Sequence, residues 1–176
     1  MEVKEYQKAV TDFADKKANF EFTNKGKHHA EIVVANLIKT AEKELLIYSG
    51  SLNKDVANNS YLVKTLNQFL ESGKKLRLIV DSLPPEQERS EALKQILVSE
   101  NNPLRDVRIK EDIDQSFANK LSDMFSDKQA HHFMVADGRA YRLEIDAEEY
   151  KAICNFNDEK IASTLKNLID QYFKKQ

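Results

Sequence analysis

The sequence predicts an α/β domain in which a mixed, mostly parallel β-sheet is flanked by helices on both faces. Segments with apolar residues at helical spacing alternate along the chain with short, almost wholly apolar runs typical of buried strands. An Asp-Gly pair between two β-prone runs indicates a hairpin near the end of the chain. The last segment is amphipathic at helical spacing, so we expect a late β-hairpin followed by a C-terminal helix.

Length and composition are typical of one soluble domain. The 176 residues are enough to bury a core without help from disulfides or a cofactor. We predict a single domain over residues 1–176, in which residues 1–27 form an N-terminal helix and a short strand extension. Because 27 Lys plus Arg face 29 Asp plus Glu, no overall field attracts nucleic acid or an anionic membrane, and any phosphate binding must be local.

Cysteine usage and hydropathy indicate a reducing compartment. Cys154 is the single cysteine and lies in the apolar run AICNF, which excludes an intrachain disulfide and predicts a small buried hydrophobe. The longest apolar stretch, IVVANLI, is too short to span a bilayer, and the amino terminus has no apolar core after a basic start. We therefore expect a cytoplasmic protein without membrane insertion.

The first half of the chain alternates helix and strand. Apolar residues from Val3 to Phe13 recur at helical spacing and predict a first helix, and FEFT is a short strand candidate. A second helix over residues 28–43 leads into the strand ELLIYS. A helix from Tyr61 to Leu70 is stopped by Gly73, which is typical of a left-handed C-terminal cap, and the strand KKLRLIVD follows.

The second half continues the alternation. Ser82 with Pro84-Pro85 resembles a helix start, and SEALKQILVSE continues that helix until Asn102-Pro103. A weak strand is predicted at DVRIK, and a further helix near residues 115–125 precedes the hairpin. The chain closes with the strand KAICNF and a helix for which Asn157 is the candidate N-cap.

The hairpin turn is predicted at Asp137-Gly138, because a type I′ turn needs positive φ at both central residues. If the loop has two residues, the turn fixes the register of both strands. Ala136 then faces Arg139, Met134 faces Tyr141 and His132 faces Leu143 on one side, while Val135 faces Ala140, Phe133 faces Arg142 and His131 faces Glu144 on the other.

This register separates the two adjacent histidines, since neighbours on a strand point in opposite directions. His131 is predicted to share a face with Arg142 and Glu144, where the carboxylate would fix the tautomer of the imidazole and the guanidinium would anchor that carboxylate or a bound anion. A purely structural cluster, in which these polar groups satisfy one another, is the alternative.

No metal or other cofactor is expected from the histidine spacing. The second adjacent pair, His28-His29, falls at a predicted helix start, where consecutive side chains diverge by about 100° and cannot both bind one ion.

The segment HHFMVADG, followed by KAICNFND and a terminal amphipathic helix, resembles the phospholipase D-like superfamily. In that family a strand of the form H-x-K-x4-D precedes a small-residue-rich segment ending in Asn. ELLIYSGSL and LESGKKLRLIVDS are similar to earlier parts of the same fold, so the resemblance covers about residues 28–176.

The resemblance implies that the family's motif is degraded here. Its aspartate falls on Asp137, its phosphate-binding lysine on His132, its nucleophilic histidine on Ala130 and its asparagine on Asn155. Alanine can neither attack phosphorus nor protonate a leaving oxygen, so we expect a catalytically impaired member. His131 or His132 would replace the nucleophile only if the strand were shifted.

Members of the phospholipase D-like superfamily with one motif per chain are homodimers that bring two half-sites together. The resemblance therefore implies an isologous dimer of this protein. Polar residues also follow the two strands that are expected to be parallel, at the edge where open α/β sheets commonly bind ligands. These residues are Ser49, Ser51, Asp81 and Ser82, for which turn formation and helix capping are the alternative roles.

Three functions follow from these observations. The first is a noncatalytic module that binds either a phosphate-bearing ligand or a protein partner, and nucleic acid is a possible ligand of the first kind. The binding surface would lie around His131, His132, Arg142 and Asn155. The second is a metal-independent phosphodiesterase or nuclease that uses His131 or His132 as nucleophile across a homodimer. The third is a structural or regulatory interaction protein, for example a bacterial or phage accessory protein that binds a partner. Catalytic candidates are thus His131 and His132, and ligand-binding candidates are Arg142, Glu144, Asn155, Asp137, Ser49 and Ser51.

Overall fold

The computed structural model describes residues 2–98, 102–109, 116–125 and 132–174. The helices are α1 (Val3–Asp15), α2 (Lys27–Thr40), α3 (Lys54–Ala57), α4 (Ser60–Glu71), α5 (Glu91–Leu97), α6 (Ser116–Met124) and α7 (Glu159–Phe173). The strands are β1 (Phe22–Asn24), β2 (Glu44–Ser49), β3 (Lys75–Val80), β4 (Arg105–Ile109), β5 (Phe133–Ala136), β6 (Ala140–Asp146) and β7 (Lys151–Asn155). Across these ranges, no helix is long and apolar enough to cross a membrane.

The strands of the described chain form one sheet in the order β1-β7-β6-β5-β2-β3-β4. The pairs β2–β3 and β3–β4 are parallel, whereas β1–β7, β7–β6, β6–β5 and β5–β2 are antiparallel. The predicted α/β class and mixed sheet are confirmed, but the expectation that the sheet is mostly parallel was wrong. Parallel neighbours need a long crossover, and the turns that join β5, β6 and β7 are too short to provide one.

Helices cover both faces of the sheet, as predicted. Helices α1–α5 pack on the face that carries Leu45 and Ile47, and α6 and α7 pack on the face that carries Leu46 and Tyr48. Alternate residues of β2 therefore enter different cores, and both cores are apolar. This arrangement explains why the central strands read as continuous apolar runs rather than as alternating ones.

Several helix ends differ from the predicted ones. Helix α2 ends at Thr40 rather than at residue 43. Helix α5 begins after Ser90, whose hydroxyl accepts a hydrogen bond from the Leu93 amide at 3.2 Å, and the predicted start near Ser82 lies before a short 3-10 helix, Glu86–Glu88. Helix α7 is capped by Asp158 rather than Asn157. Helix α3 was not predicted, because four residues are too few to show a period.

The hairpin turn forms where it was predicted, but its loop is one residue longer. Asp137 and Gly138 have φ values of 55° and 65°, as a type I′ turn requires. Ala136 pairs with Ala140, so Arg139 is an extra residue that neither strand pairs. Its guanidinium donates to the carbonyl oxygens of Phe156 and Thr40 at 2.7 and 3.0 Å, which holds it out of the ladder.

The extra residue shifts the whole register by one, so the pairing predicted for a two-residue loop was wrong. The observed partners are Val135 with Tyr141, Met134 with Arg142 and Phe133 with Leu143. Glu144 lies opposite His132, and its amide donates to the His132 carbonyl at 2.8 Å. Ala130 and His131, for which the sequence predicted a nucleophile position and a pairing with Glu144, lie outside the described residues.

Candidate functional site

A cavity of about 210 Å³ lies between the sheet and helices α2–α5, at the carboxyl ends of β2 and β3. Its body is apolar, and the side chains that line it come from all four helices and from β2 and β5: Ala30, Val34, Ile38, Ile47, Leu52, Val56, Ala57, Leu62, Leu66, Ala92, Ile96 and Met134. Its rim is polar and includes Ser49, Ser51, Asn53, His132, Arg142, Glu144 and Tyr150. Most ligand sites share this combination of an apolar body and a few polar groups.

His132 is held between two carboxylates at this rim, an arrangement that we call the His132 clasp (Asp81, His132 and Glu144). The imidazole Nδ1 lies 3.1 Å from Glu144 Oε1, and Nε2 lies 3.2 Å from Asp81 Oδ2. The hydroxyl of Tyr48 donates to the other oxygen of Asp81 at 2.9 Å. The clasp thus ties the residue before β5 to β6 and to the loop after β3.

The clasp favours the charged forms of its members. Burial by itself lowers the pKa of His132, but the hydrogen bonds and charges of Glu144 and Asp81 outweigh burial and raise the pKa above its ordinary value. Burial by itself raises the pKa of Glu144, but His132 and Arg142 outweigh it and lower the pKa. An imidazolium that donates both N–H groups to carboxylates has no lone pair with which to attack phosphorus or to accept a proton.

Arg142 braces the clasp from the side of β1. Its Nε donates to Asn24 Oδ1 at 3.1 Å, and its Nη1 and Nη2 lie 3.5 and 3.4 Å from Glu144 Oε2 and the Tyr150 carbonyl. The Asn24 amide donates to the same carbonyl at 2.6 Å. Arg142 is 8% exposed, so these contacts satisfy a buried cation and fix the position of Glu144.

Cys154 lies beside this network as the buried hydrophobe that the sequence predicted. The thiol lies 3.5 Å from Asn24 Oδ1, and burial raises its pKa to about 12. Because the thiolate is the reactive form, this side chain is chemically inert in the folded protein.

The rim also carries backbone strain. Leu52 and Tyr150 both adopt φ near 50°, a region that side chains other than glycine rarely occupy. The Tyr150 hydroxyl donates to Asp55 Oδ2 at 2.9 Å and so links the turn between β6 and β7 to α3. Strain of this kind concentrates at binding sites and in segments that move.

The structure brings together five of the residues proposed from the sequence. Their side chains or backbone line the cavity: His132, Arg142, Glu144, Ser49 and Ser51. The predicted cluster of an imidazole, an arginine and a glutamate is therefore present, but His132 occupies the place that was predicted for His131. The candidate His131 lies outside the described residues.

Asp137 and Asn155 lie at the other end of the sheet, near the hairpin turn. The Asp137 carboxylate accepts hydrogen bonds from the amides of Glu42, Lys43 and Glu44 at 2.8, 2.8 and 3.0 Å. Asn155 pairs with Tyr141 in the sheet, and its side-chain oxygen accepts from the Asn157 amide at 2.9 Å. Both contacts stabilise loops, and neither residue reaches the cavity.

Three contributors were missed and one was only half recognised. Asp81 was predicted only as a polar residue that follows a strand, and this position was the sequence feature that indicated a role in the site. Tyr48, Asn24 and Tyr150 gave no local signal, since Asn24 and Tyr150 are 126 positions apart in the sequence. The pairing of β1 with β7, in which Asn24 lies opposite Ala152 near the start of β7, brings them together.

The three histidines that the structure describes, His28, His29 and His132, are not arranged as chelating ligands. Asp81 and Glu144 contact opposite nitrogens of the His132 ring, so the three side chains do not converge on one point. His28 contacts Glu31 at 3.1 Å, whereas His29 stacks on Tyr6 with ring centroids 3.8 Å apart. Within the residues that the structure describes, no group of three or more His, Cys, Asp or Glu side chains is placed to hold a metal ion.

Replacing His132 with glutamine is expected to reduce stability by about 1–2 kcal/mol in weakly acidic solution. The pKa of His132 is raised, so its stabilisation is complete below the ordinary histidine value of 6.5 and fades as pH rises through the folded value. The pKa of Glu144 is lowered, so its stabilisation is complete above the ordinary value of 4.5 and fades as pH falls. The difference from wild type should therefore be largest between these two values.

Urea unfolding of both proteins from pH 4 to pH 9 would measure this difference. The matched control is His28→Gln, which removes an exposed imidazole that also contacts a carboxylate. We expect a change within about 0.5 kcal/mol for this control at every pH. A gap between wild type and His132→Gln that grows above pH 8 would contradict the charged clasp.

Comparison with known proteins finds similarity of fold at low identity. The archaeal chromatin protein TrmBL2, whose structure shows a novel mode of DNA binding, matches with a TM-score of 0.59 and 13% identity over 98% of this chain and 60% of its own. Phosphatidylserine synthase from Haemophilus influenzae Rd KW20 matches with a TM-score of 0.47 and 12% identity over 88% of this chain and 38% of its own. No family model and no curated protein matches the sequence. This chain spans about 60% of the length of TrmBL2 and shares its fold.

Proposed function

We propose that this protein is a noncatalytic ligand-binding module of phospholipase D-like architecture, which takes a small molecule into the cavity beside the His132 clasp. One observation carries the proposal. The imidazole at the rim has both ring nitrogens engaged by carboxylates, at 3.1 and 3.2 Å, while the cavity of about 210 Å³ opens next to it. The site is built to hold a molecule rather than to attack one.

The sequence supports the loss of catalysis independently. In the resemblance to the phospholipase D-like superfamily, alanine stands at the nucleophile position, Ala130, and His132 replaces the lysine that would hold phosphate oxygens. A two-step reaction at phosphorus needs a free imidazole lone pair in the first step. In the His132 clasp both ring nitrogens are engaged by carboxylates, so His132 has no lone pair for this step.

The cavity itself supports ligand binding. Protein interiors are packed as densely as organic crystals, and voids larger than a water molecule are few. A cavity of about 210 Å³ that is lined mainly by apolar residues forgoes the dispersion contacts that close packing would give. A bound apolar group would restore them.

We expect no phosphodiester hydrolysis by the purified protein. With bis(p-nitrophenyl) phosphate as substrate, the rate of wild type should equal that of the double variant His131→Ala/His132→Ala, with or without EDTA, because carboxylates engage both ring nitrogens of His132 and alanine stands at the nucleophile position of the motif, Ala130. Release of p-nitrophenol measured by absorbance gives both rates. A wild-type rate at least tenfold above the double variant would show that catalysis survives and that the noncatalytic assignment is wrong.

Binding to the cavity is tested by protein-observed NMR with a library of small fragments. Fragments that bind should shift the resonances of cavity residues such as Ile47, Leu62 and Met134. A library in which no fragment shifts these resonances would remove the ligand-binding proposal. The homodimer and the protein partner remain predictions.

DNA binding is not proposed as the function of this chain. DNA binding is a property of TrmBL2, of which this chain covers 60% at 13% identity. The formal charge here is −2, and lysines such as Lys16, Lys17 and Lys25 are in ion pairs with carboxylates. Non-specific binding to DNA depends on cations that can replace counterions at phosphates, and such pairs weaken that exchange.

A further inference from the structure

We infer that the ligand of this cavity is a neutral molecule of about one ring in size, with an apolar body and a hydroxyl or similar head group. This inference rests on the proposed function, because it names the class of molecule that the same cavity would bind. It differs from the phosphate-bearing ligand that the family resemblance suggests. Body, head group and size are each argued from a separate feature of the site.

The body of the ligand must be apolar. Beneath the rim, the cavity wall consists of aliphatic side chains from α2, α4 and α5, together with Ile47 of β2 and Met134 of β5. A polar group placed among them would lose its hydrogen bonds to water without replacement. A molecule that is hydroxylated all around would therefore fit this wall poorly.

The head group is expected to be neutral because the charges of the His132 clasp and Arg142 balance. Among the described residues of this group, Arg142 and His132 are cations, and Asp81 and Glu144 are anions. Each of the four is in an ion pair within the group, so a phosphate or ammonium group that entered beside them would be desolvated without an unmatched counter-charge from these four residues.

A hydroxyl group suits the same rim, because it both donates and accepts a hydrogen bond. The carboxylate of Glu144 accepts, and the amide of Asn53 and the hydroxyls of Ser49 and Ser51 offer donors and acceptors around the opening. A single polar head at the rim therefore leaves the apolar body facing the aliphatic wall.

The volume of the cavity limits the size of the ligand. An apolar cavity of about 150 Å³ is large enough to bind benzene. The cavity here is about 210 Å³, which adds room for a one- or two-atom head group. The part of a ligand that the cavity encloses is therefore about one ring in size.

A series of probes that share one phenyl ring tests this inference on the full-length protein. The probes are benzyl alcohol, toluene, benzylamine, benzoate and phenyl phosphate, each titrated by NMR into isotope-labelled protein at pH 7. We expect benzyl alcohol to bind at least tenfold more tightly than the three charged probes and several-fold more tightly than toluene. The variant Ala30→Leu, which fills the cavity, should lose this binding and so locate it.

Each contrary result has a distinct meaning. If phenyl phosphate, benzoate or benzylamine binds most tightly, the neutral head group is wrong although the ligand-binding function stands. If no probe of the series binds, the inferred class is wrong, and the proposed function fails only when the wider fragment library also gives no cavity binder. If benzyl alcohol binds equally to Ala30→Leu, the site of binding is elsewhere and the inference is overturned.

Discussion

Replacing Ala30 with leucine is expected to block ligand binding while the protein remains folded. Ala30 lies on α2, is 1% exposed and lines the cavity. The added isobutyl group would occupy the space that a ligand needs, so the dissociation constant of a cavity binder such as benzyl alcohol should rise at least tenfold. Filling a cavity with apolar atoms also adds buried contacts, and the free energy of unfolding should increase by about 0.5–2 kcal/mol.

The matched control is Ala35→Leu on the same helix. Ala35 is also 1% exposed, but it does not belong to the cavity wall. The same added atoms must displace packed neighbours there, so we expect stability to fall by about 1–3 kcal/mol while ligand affinity is unchanged. Urea unfolding and NMR titration of both variants provide the measurements. Equal effects of the two substitutions on stability and on affinity would contradict a functional cavity.

Replacing Asp137 with alanine is expected to reduce the free energy of unfolding by about 3 kcal/mol. Its carboxylate accepts hydrogen bonds from three consecutive amides, those of Glu42, Lys43 and Glu44, which join α2 to β2. Alanine would leave these donors without the acceptor and would also occupy a backbone conformation with φ of 55° that it tolerates less well than aspartate. Chemical denaturation of the variant measures the loss.

Two controls separate the role of Asp137 from a general effect of mutation. Asp137→Asn keeps an acceptor oxygen and a residue that tolerates positive φ, so its loss should be about half as large. Asp146→Ala removes a carboxylate that accepts from one amide, that of Glu149, and should cost about 1 kcal/mol or less. Ligand affinity should be unchanged in Asp137→Ala, since the residue lies at the opposite end of the sheet from the cavity. If Asp137→Ala loses ligand affinity but keeps its stability, Asp137 belongs to the binding site and the stabilising role is wrong.

This stabilising role gives a physical reason for an aspartate at the motif position. In the sequence, Asp137 was a turn residue and the counterpart of a family motif residue. In the structure, its backbone makes the turn and its side chain caps the loop before β2. Folding by itself is therefore a sufficient physical reason for an aspartate at this position.

The residue types of the candidate site could be predicted from the sequence, but the contacts between its residues could not. Arg142 and Glu144 stand two residues apart on a strand, and that spacing alone places both side chains on one face. The spacing could not tell which histidine faces them. His132 meets Glu144 because Arg139 adds one residue to the loop, and a slip of one residue turns every side chain of a strand to the opposite face.

The sequence by itself determined the α/β class, the order of the helices other than α3 and of the strands, the positions of β2, β3 and β7, and the reversal at Asp137-Gly138. These features follow from local periodicity and turn chemistry, which act over a few residues. Only the tertiary structure decided the register of the hairpin and the members of the clasp. Arg139 is held by the carbonyl oxygens of Thr40 and Phe156, 99 and 17 positions away, and Asp81 reaches His132 across 51 positions. Contacts over such separations depend on how the elements pack, so no local pattern in the sequence records them.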